Sequence, residues 1–334
     1  MKKNRLFCTI CLVGGFALIM GSCKKKDDTN AISIMVPDFE ETLAEPDEER
    51  AYIDFNGANK FKWNGNDEVM VYNLGSDGSS IRAVYSCGAD AEGQYRAEFT
   101  GTDLGAKKDY GFFAFYPASK VNRYAFDQVD NRQVFNVEPT QTYTLVNGNP
   151  TVDPASMAMA IDLPTLESDV NLKHIFGVCR VRLKGTGKVA KIVVRDLKYN
   201  LAGTVSMKLH EVKMNKFSSM MSSYTLVADG QADLNPTFVN AWNEYRTTLG
   251  YEADGTGNEI TLNCPNVQLN PNTATPFYIS VRPGAFINGL EIDVYYEGDA
   301  DGQPTGHITK YAAPKNSYVI KAGVITGFAP AALR

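Results

Sequence analysis

The chain has 334 residues, 44% of them apolar and 21% charged, with a formal net charge of -5. That length and balance allow roughly two globular domains with sizeable cores. The mild negative charge, with no long basic block, argues against nucleic acid as a partner.

The first 22 residues read as a targeting segment rather than as structure. Lys2, Lys3 and Arg5 form a basic start, and the apolar run Leu6–Met20 is too short for a membrane span, which needs about 20 residues. Met20-Gly21-Ser22-Cys23 follows at once. Small residues before a cysteine, behind a basic start and an apolar run, form a lipoprotein processing site. The thiol of Cys23 is expected to receive the lipid, so that acyl chains hold the mature protein to a membrane. Residues 23–50 then hold a polar tether, a strand and an acidic loop. Ile32, Ile34 and Val36 alternate with Ser33 and Met35, which predicts a strand with one buried face, stopped by Pro37. From Asp38 to Arg50 seven carboxylates surround Pro46, and Arg50 is the only basic residue. Such a segment buries little and is expected to be an exposed loop.

Beyond Tyr52 strand signals dominate. Phe61-Lys62-Trp63 alternates, Asn64-Gly65-Asn66-Asp67 is turn chemistry, and Val69–Tyr72 is a short apolar strand. Further strands are expected over 81–85, 95–99, 111–116, 133–137 and, less regularly, 156–161. A boundary falls near Pro164. After it come strands over 175–183, 189–194, 201–209, 223–227, 260–264, 277–281, 290–296, 318–321 and 324–328. The strand 175–183 places Ile175, Cys179, Val181 and Leu183 on one face and His174, Arg180 and Arg182 on the other. Residues 238–249 have the only helical look. The fold class is therefore all-β, with a β-sandwich over 51–165 and another over 166–334, each with its own core.

The chain resembles the fimbrillin family, lipoprotein pilins of the type V pili of Bacteroidota. The residues that carry the resemblance are Phe61–Tyr72, Phe113–Pro117, Gln141 and Asp153–Ser156 in the first half. In the second they are Leu172–Phe176 leading into Val178–Leu183, Phe277–Gly284 and Lys321–Gly323. Lys26-Asp27-Asp28 behind the lipid cysteine also resembles a surface-export signal of such lipoproteins. The resemblance implies two transthyretin-like β-sandwiches, export to the outer-membrane surface as a lipidated precursor, and trimming there by an Arg-specific protease. Carried onto this chain, the removable strand is Ile32, Ile34 and Val36 with their neighbours, and the cut falls between Arg50 and Ala51. The groove then takes a strand from another pilus subunit.

A sandwich that lacks one edge strand has unpaired backbone groups and an open apolar groove, and β-strand addition satisfies both. The tethered strand occupies that groove first and blocks premature assembly. The C-terminal stretch holding Tyr318, Ile320, Val324, Ile325 and Phe328 is a candidate donor; an ordinary closing strand of the second sandwich fits its pattern equally.

Catalytic constellations are absent. None of the three histidines, His174, His210 and His307, has a partner at metal-ligand spacing. Gly298–Gln303 resembles a calcium loop, but the twelfth position counted from Asp299 holds Lys310 where a Glu is required. No enzyme activity, metal or cofactor is expected. Of six cysteines, Cys8 and Cys11 leave with the signal segment, and Cys179 and Cys264 share strand faces with apolar residues as small core side chains. The alternative function is a lipid-anchored surface protein that binds glycans or other ligands through exposed aromatics.

Overall fold

A computed structural model of the chain describes residues 29–36, 40–43, 62–77, 79–121, 132–146, 148–196, 200–208, 257–286, 290–297, 306–310, 318–320, 322–328 and 330–333. In chain order the strands begin with β1 (Thr29–Met35), β2 (Glu40–Leu43), β3 (Glu68–Leu74), β4 (Ser80–Cys87), β5 (Arg96–Thr102) and β6 (Gly111–Tyr116). Next come β7 (Arg132–Val137), β8 (Thr140–Thr142), β9 (Thr144–Val146), β10 (Asn149–Thr151), β11 (Met159–Leu163), β12 (Asp169–Asn171) and β13 (Lys173–His174). Then follow β14 (Gly177–Lys184), β15 (Lys188–Asp196), β16 (Gly203–Lys208), β17 (Glu259–Gln268), β18 (Thr275–Val281) and β19 (Gly284–Phe286). The last are β20 (Leu290–Tyr296), β21 (Gly306–Lys310), β22 (Tyr318–Ile320), β23 (Val324–Gly327) and β24 (Ala331–Ala332). The one α-helical turn among the described residues is Ala118–Val121.

Three large sheets result. The first runs β12-β1-β5-β4-β3-β6-β11-β13. The second runs β18-β14-β23-β2, with β24 added to β14. The third runs β21-β20-β15-β17-β8. Alternation explains the half-buried strands: on β17, Ile260, Leu262 and Cys264 are buried while Asn263 faces solvent. Some interior strands are buried on both faces, as β3 is from Val69 to Leu74. The same holds for β14, where Arg180 and Arg182 are buried along with Cys179 and Val181. The face that holds the arginines is therefore covered, and Arg182 Nε donates to the Phe328 carbonyl at 3.1 Å.

Strand pairing crosses residue 165 in both directions. β8 pairs in parallel with β17, and β7 pairs with β16. In return β12 lies beside β1, and β13 lies beside β11. One connected cluster of buried apolar side chains runs from Ile32 through Phe115 and Leu172 to Ile260, Phe277 and Phe328.

The acidic stretch also departs from expectation. Residues 40–43 are not a loop but strand β2, paired in parallel with β23. Charge near a strand is compatible with a sheet edge, where it also discourages stray pairing. The helical stretch 238–249 and the strand over 223–227 lie outside the described residues.

Candidate functional site

β1 is the centre of the site. Its ladder with β5 is antiparallel from Thr29↔Thr102 to Met35↔Arg96. On its other side β12 runs parallel, from Ser33↔Asp169 to Met35↔Asn171. Bonds at its ends continue the ladder: Ser33 N donates to Ser168 O at 3.0 Å, Val36 N to Tyr95 O at 2.9 Å, and Leu172 N to Met35 O at 3.1 Å. Alternation sends Ile32, Ile34 and Val36 inward, at 0%, 0% and 4% exposure. Each such side chain contributes about 1.5–3 kcal/mol relative to exposure.

Trp63 fixes the strand from beneath. Its indole Nε1 donates to the Ile34 carbonyl at 3.1 Å. The ring stands edge-on to Phe99 and Tyr116, with centroids 4.8 and 5.3 Å away. The local chain explains why it sits there. Trp63 N donates to Gln94 O at 2.8 Å, and Gly93 N donates to Trp63 O at 2.9 Å. The turn that follows closes through Asp67 N to Asn64 O at 3.1 Å, with Asp67 Oδ2 accepting from Asn64 N at 2.8 Å. Asn66 takes the left-handed conformation, which Asn tolerates better than most residues. Burial raises the Asp67 carboxyl above its ordinary range, against the lowering effect of its bonds with Asn64 and Tyr116.

The outer face of β1 is polar. Arg96 pairs with Asp169 and donates to Ser33 Oγ at 3.2 Å and Asn171 Oδ1 at 3.3 Å. These are exposed groups and contribute little. On β5, Gly101 lets the Tyr85 ring lie against the backbone; a Cβ there would meet the ring at 2.4 Å. Tyr85 OH donates to Thr102 O at 2.9 Å.

β2 carries the same N-terminal segment into the second sheet, pairing Glu40↔Val324 through Leu43↔Gly327. Cys23, Arg50 and Ala51 lie outside the described residues. The C-terminal stretch lies within the chain's own sheets. β22 pairs with β19, and β23 is flanked by β14 and β2. Ile320, Val324, Ile325 and Phe328 are buried, and Phe328 N donates to Arg180 O at 3.1 Å. The place of a closing strand is thus the one it occupies here; the side chain of Tyr318 is not described.

Two other residues from the sequence motifs act as staples. Gln141 is 1% exposed; its Nε2 donates to Ser280 O at 2.7 Å while its Oε1 accepts from Ser280 N at 2.9 Å. It thereby joins the β8 edge of the third sheet to β18 of the second. Asp153 accepts from Thr142 N and Ala155 N, both at 2.9 Å. Arg195 on β15 bridges Glu259 and Asp293 on the two neighbouring strands.

Other chemistry is sparse. Cys87, Cys179 and Cys264 are free and buried. Burial pushes their thiols up, that of Cys264 to about 12, which leaves them unreactive. No group of three or more metal-ligating side chains occurs among the described residues. His174 is buried; His210 lies outside the described residues, as do residues 298–303, and the His307 side chain is not described. No helix among the described residues is long and apolar enough to cross a membrane. Trp63 is 1% exposed; Tyr95, at 39%, is the one large aromatic in the exposed class among the described residues, and Lys62 Nζ lies over its ring.

No protein-family model matches this chain, and no curated protein matches it. Solved structures do resemble it. A candidate cell adhesion protein from Bacteroides ovatus is 12% identical, with a TM-score of 0.41, over 89% of this chain and 90% of that one. A fimbrial protein from Bacteroides ovatus is 11% identical, with a TM-score of 0.37, over 91% of this chain and 50% of the other. The tip fimbrial protein Mfa3 from Porphyromonas gingivalis is 11% identical, with a TM-score of 0.37, over 88% of this chain and 92% of that one. Its structural neighbours are fimbrial and cell-adhesion proteins. Each likeness is at low sequence identity.

Proposed function

We propose that the chain is the precursor of a fimbrial subunit, without enzyme activity, exported as a lipoprotein through Cys23 and displayed on the outer membrane. An Arg-specific surface protease cuts between Arg50 and Ala51. The strand bearing Ile32, Ile34 and Val36 then leaves, and its place is taken by a strand from another subunit, for which the C-terminal stretch from Tyr318 to Phe328 is the candidate donor. The observation that carries this reading is the position of β1. It lies between β5 and β12, with its apolar side chains in the core. Its loss would leave a ladder of unpaired N–H and C=O groups above an apolar slot, which an extended strand fills.

The glycan-binding alternative asks for a flat cluster of exposed aromatics. Among the described residues Tyr95 stands alone in that class, beneath an ammonium. The test is Arg50→Ala at the native surface. The variant is expected to stay as lipidated precursor and not enter polymers. Assembly equal to wild type overturns the proposal.

A further inference from the structure

β1 and β2 belong to one short segment of chain, with only residues 36–39 between them. The first fills the eight-stranded sheet and the second closes another sheet altogether. β23 therefore has two neighbours. β14 pairs with it at Ile325, Thr326 and Gly327, while β2 pairs with it at all of Val324–Gly327. Without β2, β23 becomes an outer strand held by β14 and its own side chains.

β23 also carries a weak point. Thr326 is 1% exposed, and its Oγ1 has no hydrogen-bond partner among the described residues. A buried hydroxyl without a partner penalises the docked state and is relieved when the strand leaves. Thr326 lies opposite Thr42 of β2 and Cys179 of β14, in the middle of the ladder.

We propose that β2 is a clamp on the C-terminal strand, so that one cut between Leu43 and Trp63 both unseats β1 from the first sheet and unclamps β23 in the second. Acceptor and donor are then armed by the same event. This rests on the strand-exchange reading above and adds to it a second edge, in a second sheet. It also gives the uncut precursor a double safeguard: its slot is filled and its own C-terminal strand is pinned.

Hydrogen exchange on the full chain, read by mass spectrometry, tests the clamp with and without protease. Alternate residues of a strand face a given neighbour, so one of Glu41→Pro and Thr42→Pro removes a ladder donor from the β2–β23 pair. In that variant the amides of 324–327 are expected to exchange about ten-fold faster, while those of 96–102 keep their protection. Unchanged protection at 324–327 in both variants overturns the clamp. Wild-type protein cut by an Arg-specific protease is the second measurement, and it does not depend on either variant folding. Joint loss of protection at 96–102 and 324–327 supports the clamp. Loss at 96–102 alone overturns it and leaves strand exchange standing. No loss at either place after complete cleavage overturns both.

Discussion

The Trp63 indole donates to a carbonyl of β1 while its ring packs against Phe99 and Tyr116. Under the proposed cut after Arg50 that donor stays with the retained chain, so an empty slot would leave it unpaired and a filled slot would satisfy it. Trp63→Phe keeps an aromatic ring and removes the N–H. It is expected to cost about 1–3 kcal/mol in denaturant unfolding and to loosen β1 amides ahead of the rest. Unaltered protection of β1 would show that the bond contributes nothing. Asp67 supplies a pH test of the adjoining turn. Its folded-state pKa is raised, chiefly by burial, above the ordinary value of 3.8. The group therefore favours folding while protonated, and that contribution fades as pH rises from about 3.8 through the folded value. Asp67→Asn removes the titration, so its stability relative to wild type should improve across that window and stay level above it. A difference independent of pH contradicts the assignment. At this scale the sequence was informative about burial and silent about bonding. Trp63 reads as buried from its neighbours, but nothing in the order of residues says that its Nε1 meets Ile34. The burial of Arg180 and Arg182 was hidden for a related reason: alternation signals two faces, not what covers the second.

Most strands were visible as alternation or apolar runs, and 290–296 coincides with β20 to the residue. Those that escaped are short or charged. β12 and β13 have three and two residues and acquire their conformation from β1 and β11 rather than from their own pattern. β2 is a run of glutamates before Thr42 and Leu43, and composition alone reads that as loop. Its partner makes it a strand. For β1 the prediction is sharper. Ile34→Asp puts a charge into a fully buried position, a cost of several kcal/mol or more unless the strand leaves. Under the proposed exchange, leaving is available to β1 and not to β3, whose partners β4 and β6 both lie in the retained part of the chain. The variant should fold, show loss of protection at Arg96–Thr102, and bind an added peptide of sequence Thr29–Val36 that wild-type precursor ignores. Global unfolding of this variant would mean that β1 is an integral strand rather than a removable one.

Across the whole molecule, the pairing links what the sequence divides at 165. A turn-rich stretch near Pro164 looks like a boundary because it is polar and carries Pro, but hydrogen bonds between distant segments decide how halves are joined. Gln141 shows this best. The one glutamine in a Thr-rich run, it closes a two-way amide bridge onto Ser280 across 139 positions. Gln141→Ala orphans a buried N–H and a buried C=O on β18, at about 1–3 kcal/mol each. With one connected core, calorimetry should show a single transition moved to lower temperature. Splitting into two transitions would instead support two halves with separate cores.

Assembly is where these scales meet. The most direct test is denaturing electrophoresis of purified precursor after digestion with an Arg-specific protease, run unheated and boiled, with N-terminal sequencing of the product. A start at Ala51 together with a ladder that collapses to one band on boiling is the predicted result, because strand-exchanged subunits resist detergent until heated. A single unheated band from protein shown to start at Ala51 would contradict it.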